Sequence, residues 1–150
     1  MIIIQKKNFN PNFEVKKISN KDKNIGAIVS FVGLVRKKTK TKSLISMKIE
    51  QYSKMLKKEI AKIEKKARHR WKLTDVIIIH RYGALKPGDK IVFVATASQH
   101  RKEAFQSCEF IIDWLKVKAP IWKEERMTNN KLWVKSRKSD VQKITEWETG

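Results

Sequence analysis

The stretch "IGAIVSFVGLVR" puts Ile25, Ala27, Val29, Phe31 and Val35 at alternate positions, with Ile28, Val32 and Leu34 between them. Side chains alternate across a β-strand, so this strand is apolar on both faces and must be covered on both. A sheet with one wet face cannot satisfy it. The covering layers are readable further on. From Ser53 to Trp71, the residues Leu56, Ile60, Ile63, Ala67 and Trp71 recur at helical spacing, with lysines on the remaining face and Ser53 as candidate N-cap. Ser98 to Lys118 predicts a second long helix with the stripe Ala104, Phe105, Cys108, Ile111, Ile112 and Leu115.

The remaining elements are shorter. "MIIIQ" reads as a strand, "NFEVKKISN" after Pro11 as a brief helix, and "LISMKIEQY" as a half-buried strand. "DVIIIHRYGALKPGDKIVFVATAS" reads as strand, turn, strand, with Pro87-Gly88-Asp89 at the bend. "KLWVKS" supplies a final strand, and Lys37 to Ser43 reads as a mobile surface loop. Regular βαβ alternation is absent, and no repeat or linker divides the chain. The expectation is one α+β domain over residues 1–150, two long helices packed on a mixed or antiparallel β-sheet.

A net charge of +20 suits nucleic acid, an anionic surface or small acids. The excess is spread along the chain and accompanies many Ile and Asn residues, a mixture that AT-rich codon usage also produces. The single cysteine, Cys108, excludes an internal disulfide framework and sits in a helical stripe, where a thiol is core rather than reactive. No apolar run approaches the roughly 20 residues that span a bilayer, and "MIII" is too short for a signal-peptide core. The expected compartment is therefore the cytoplasm. There is no P-loop, dinucleotide fingerprint or zinc spacing, so no cofactor and no metal are expected.

Candidate chemistry gathers in "HRKEAFQSCEFIIDWLKVKAPIWKEE", from His100 to Glu125. With Ser98 as helix cap, His100 and Arg101 fall in the first turn, where free N–H groups and the helix dipole favour an anion. Lys116 lies beside the apolar stripe near the helix end, and Pro120 stops the helix before Lys123. Two lysines flanking a break can converge on one point, to hold a phosphate or to act as acid or base. Arg36 ends its strand at the mouth of a sheet, next to Gly33, which suits either close backbone approach or a bulge.

In this order, "GAIVSFVGLVR", "VIIIHRYGALKPGDKIVFVATASQHRKEAF", "FIIDWLKVKAPIWKEE" and "WVKSRKSD" resemble the large, catalytic subunit of molybdopterin synthase. The resemblance implies an α+β fold and a homodimer within a heterotetramer. A small ubiquitin-like sulfur-carrier subunit would dock on each copy. Its C-terminal thiocarboxylate would give two sulfurs to cyclic pyranopterin monophosphate, forming the dithiolene of molybdopterin. By the same resemblance Lys116 and Lys123 are the catalytic candidates. Leu34, Val35 and Arg36, the pair His100 and Arg101, the two lysines, Glu124, Glu125 and Arg137 are the substrate-binding candidates. Lys116 could act as acid or base, or bond covalently to the partner's activated tail. The chain departs from the family pattern at Ser53-Lys54, where a small pair usually precedes methionine, and in the more basic Lys37 to Ser43 loop.

Two rivals have different requirements. An RNA-binding module needs exposed aromatics beside its charge, whereas Trp71 and Trp114 sit at packing positions. A non-catalytic scaffold would bind the small subunit and form no product. Neither nucleic acid nor a membrane is an expected partner.

Overall fold

The computed structural model describes residues 1–37, 44–51, 53–119, 121–127, 131–134 and 137–150. Residues 38–43, most of the basic loop, lie outside the described residues, as does Pro120. In chain order the elements are β1 (Ile2–Gln5), α1 (Pro11–Ser19), β2 (Ala27–Leu34), β3 (Leu44–Gln51), α2 (Ser53–Arg70) and β4 (Asp75–Arg81). Then follow β5 (Gly83–Leu85), β6 (Lys90–Ser98), α3 (Arg101–Lys118), β7 (Ile121–Met127), β8 (Lys131–Val134) and α4 (Lys138–Thr149).

The strands form two four-stranded sheets rather than one, in the orders β1-β4-β6-β2 and β5-β3-β7-β8. In the first, β1 runs parallel to β4 and the other pairs are antiparallel, so it is mixed. Its central strand β4 is apolar on both faces. Val76 and Ile78 pack with Leu56, Ile60, Ile63, Phe110, Ile111 and Leu115 of α2 and α3. Ile77 and Ile79 pack with Phe9 and with Ile18 of α1 on the opposite face. The double cover expected for β2 is present: Val29 and Phe31 meet the α2–α3 side, while Ile28 and Val32 meet the α1 side; Ile25, which precedes the strand, joins the α1 side rather than the Val29 face.

Local chemistry explains the element ends. Asn10 caps α1, its Oδ1 accepting from the N–H groups of Asn12 and Phe13, with Pro11 at the first helical position. Helix α2 begins at Ser53 itself, one residue earlier than a Ser53 cap would place it, and the Ser53 side chain lies outside the described residues.

The strand–turn–strand expectation for residues 75–98 needs correction. Gly83, at φ +89°, lets the chain leave the first sheet after Arg81 and pair as β5 with β3 of the second. The anticipated bend follows at Pro87-Gly88-Asp89, with Gly88 at φ +92°. Here Asp89 Oδ2 accepts from the Lys86 N–H at 2.8 Å. This bend is tied to the end of β2, since Val35 N–H donates to Asp89 C=O and Gly88 N–H to Val35 C=O. The register of β2 shifts between Gly33 and Leu34, and a Cβ on Gly33 would lie 2.5 Å from Val92 Cγ1. Gly33 is thus both bulge and close-packing position, and beyond it Val35 turns into a small cluster with Leu85 and Ile91.

The sequence reading did not anticipate α4. This helix docks on α3 through Ile144, which is buried, and through Trp147. Trp147 meets Phe110 and Trp71 edge-on at centroid distances of 5.5 and 5.8 Å. Such pairs contribute about 0.5–1.5 kcal/mol each beyond the area they bury.

Candidate active site at the end of the α3 helix

The path of α3 over the first sheet decides which candidates can meet. Thr96 Oγ1 donates to Ala104 C=O at 2.7 Å, and Cys108 Sγ lies 4.0 Å from Val94 C=O. Four residues forward on the helix thus match two residues back on the strand. The two steps are nearly equal, about 6 Å of helix and about 6.6 Å of strand. Continued to the helix end, this ladder brings Lys116 level with Lys90, which pairs with Leu34. Lys116 and Arg36 therefore share one end of the first sheet.

Helix α4 reaches the same end. The Lys116 ammonium lies 3.8 Å from Asp140 Oδ1, with the lysine side chain 52% exposed. Arg137 is the N-cap of α4, its carbonyl accepting from the N–H groups of Asp140 and Val141, and it is exposed. Asp140 carried no role in the sequence reading. No spacing rule links it to Lys116, and only the docking of α4 brings it there.

After Lys118 the helix gives way to an extended residue, Ala119 at φ −69° and ψ 126°, as expected for a residue that precedes proline. Strand β7 then carries Lys123 opposite Ile49 and Val134, and Glu124 opposite Lys48 and Trp133. Glu124 is half-buried, while the side chains of Lys123 and Glu125 lie outside the described residues. Leu34 is exposed at this end. Val35 is not: its side chain is buried and both its backbone groups are bonded to the 88–89 turn, an arrangement that serves packing.

His100 and Arg101 stand at the far end. Along α3 they are separated from Lys116 by roughly 22 Å at the rise of an α-helix. Both are exposed, and His100, rather than Ser98, occupies the N-cap position, with Arg101 the first helical residue. Ser98 instead closes β6. Its hydroxyl lies 2.8 Å from Lys72 C=O and 2.9 Å from Glu103 Oε2, one proton between two acceptors, and its oxygen accepts from the His100 N–H at 3.4 Å. Glu103 thus already places a carboxylate in the first turn. One chain does not bring all the candidate cations to a single small molecule.

Cys108 is 3% exposed, and burial pushes its thiol up to about 12. At neutral pH it stays protonated and closed off from solvent, and it is the sole cysteine of the chain. Trp71 and Trp147 pack edge-on against Phe110, and Trp114 is buried beside the same ring. These rings offer no stacking platform for bases. Among the described residues no group of His, Cys, Asp and Glu could hold a metal ion, and no helix is long and apolar enough to cross a membrane.

A family model described as "MoaE protein" matches residues 4–118. The molybdopterin synthase catalytic subunit of Ralstonia nicotianae is 40% identical over 146 residues, which cover 97% of this chain and 83% of that one. Among solved structures, the molybdopterin biosynthesis MoaE protein from Burkholderia ambifaria superposes with a TM-score of 0.85 at 40% identity, covering 99% and 97% of the two chains. A chain from the complex of subunits 1 and 2 of the molybdopterin-converting factor of Helicobacter pylori superposes at 0.74 with 25% identity, covering 91% of each.

Proposed function

The chain belongs to the MoaE protein family, and on that premise we propose that it is the catalytic subunit of molybdopterin synthase. It would take sulfur from the C-terminal thiocarboxylate of a small ubiquitin-like subunit and pass it, twice, to cyclic pyranopterin monophosphate in the cytoplasm. What supports this reading most is the end of α3, where Lys116 stands 3.8 Å from Asp140 of the helix that Arg137 caps, at the same end of the first sheet as Arg36. Both ligands are anions, and cations at one end of the sheet suit them, with Lys116 the candidate for proton transfer or for covalent attachment of the partner's tail. The sealed Cys108 supports the same division of labour, because the sulfur has to come from another molecule. A thiocarboxylate that gives up sulfur leaves an acyl carbon that water completes to a carboxylate, so each product consumes two charged tails or recharges one.

The separation of roughly 22 Å along α3 gives the homodimer a task. A second copy can bring its own His100-Arg101 towards the Lys116 end of the first, completing one anion site from two chains. The test is reconstitution with thiocarboxylated small subunit and cyclic pyranopterin monophosphate. Wild type should form molybdopterin, and Lys116→Ala should lose on the order of a hundredfold or more without unfolding, with a smaller loss for Lys123→Ala. Full activity in both variants removes the lysines from the mechanism. With substrate well below KM, where Arg101→Ala alone is about tenfold slow, mixing it with Lys116→Ala should restore part of the activity through mixed dimers, and activity no higher than that of Arg101→Ala alone would place each site within one chain.

A further inference from the structure

We propose that Asp140 is a positioning residue for Lys116, and that α4 exists in part to hold its carboxylate at the end of α3. This rests on the reading above, in which Lys116 acts in sulfur transfer. The Lys116–Asp140 pair is 3.8 Å long, with the lysine half exposed and the aspartate 25% exposed. A pair so accessible to water adds little to stability. What it restricts is where a long, flexible lysine places its ammonium.

The aspartate itself is firmly set. It lies in the first turn of α4, its N–H bonded to Arg137 C=O at 3.0 Å, where the positive end of the helix favours a carboxylate. Three further contacts fix α4 on α3: Trp147 Nε1 donates to Asp113 Oδ2 at 2.9 Å, Lys143 pairs with Glu109 at 3.3 Å, and the Trp147 ring meets Phe110. Lys116, in turn, sits in the last turn of α3, where the negative helix end favours a cation. The last turn of α3 and the first turn of α4 therefore present opposite charges to each other, and the ammonium is aimed before any substrate arrives.

The experiment is steady-state reconstitution with Asp140→Ala, Asp140→Glu, Lys143→Ala and Lys116→Ala, each with its thermal midpoint. Asp140→Ala should lower kcat on the order of ten- to a hundredfold while KM for cyclic pyranopterin monophosphate stays within about twofold. Asp140→Glu should recover part of that loss. Lys143→Ala removes another α4–α3 ion pair without touching Lys116, and should keep the wild-type kcat. Wild-type kcat in Asp140→Ala beside an inactive Lys116→Ala would overturn the positioning role and leave the lysine reading standing. Equal losses in Asp140→Ala and Lys143→Ala would reduce Asp140 to a docking contact. A fully active Lys116→Ala would remove the lysine reading and this role with it.

Discussion

The two ends of the first sheet use charge in opposite ways. At the end where β6 hands over to α3, charges are tied inward. Asp75, with only 7% of its side chain exposed, pairs with Lys21 at 2.7 Å and Arg68 at 3.6 Å, and accepts from the Val76 N–H. Ser98 links Lys72 and Glu103 close by. At the other end Arg36, Lys116 and Arg137 reach outward, with Asp140 beside the lysine. The first set holds the fold, and the second is the set proposed to meet ligands. A net charge of +20 says nothing about this division, because it depends on which cations the fold has already engaged.

The comparison can be broken most forcefully at the working end. Trp147→Ala should undock α4, at a cost of about 2 kcal/mol, and lower turnover with it. Thermal unfolding and reconstituted kcat together check this, and an unchanged kcat would separate α4 from the site. Arg101→Ala should raise KM for the phosphate-bearing substrate about tenfold while kcat changes less, as expected when one charge-assisted contact to a phosphate is lost. A kcat loss as deep as that of Lys116→Ala would mean that both ends do the same work.

The smallest effect belongs to the tied end. Burial alone would raise the Asp75 carboxyl. The hydrogen bonds from Lys21 and the Val76 N–H, with the fields of Lys21 and the N-terminal ammonium, bring it below its ordinary value of 3.8. A carboxylate with a depressed folded-state pKa adds stability above its unfolded pKa, and that share disappears as pH falls through the folded value. Asp75→Asn should therefore cost about 1 kcal/mol at neutral pH. Its gap from wild type in urea midpoint should close towards pH 3 and below, whereas a constant gap would point to packing rather than ionisation.

Much of this architecture was legible in the residues. The two-faced apolar pattern of Ile25 to Val35 demanded layers on both sides, and the stripes from Leu56 to Ala67 and from Ala104 to Leu115 supplied one of them, except that Phe105, read as part of the second stripe, is exposed. Cys108 was readable as core for the same reason. The split into two sheets was not, because it turns on Gly83 taking a positive φ, and a glycine between two apolar runs looks the same whether the chain turns back or crosses over. Helix α4 was missed because Val141, Ile144 and Trp147 are few apolar positions in a polar stretch, and Trp147 packs on rings as distant in sequence as Trp71 and Phe110. The site candidates could be picked out by motif. Their separation into two ends needed the direction of α3 over β6, which two contacts from Thr96 and Cys108 reveal.

Those same surroundings of Cys108 have a consequence for how the chain behaves between reaction cycles. A thiol closed off among Val94, Thr96 and the α2–α3 packing keeps no persulfide from one cycle to the next and offers oxidants no foothold. The chain would then be a catalyst without memory. Its pace under sulfur limitation would follow the supply of charged partners.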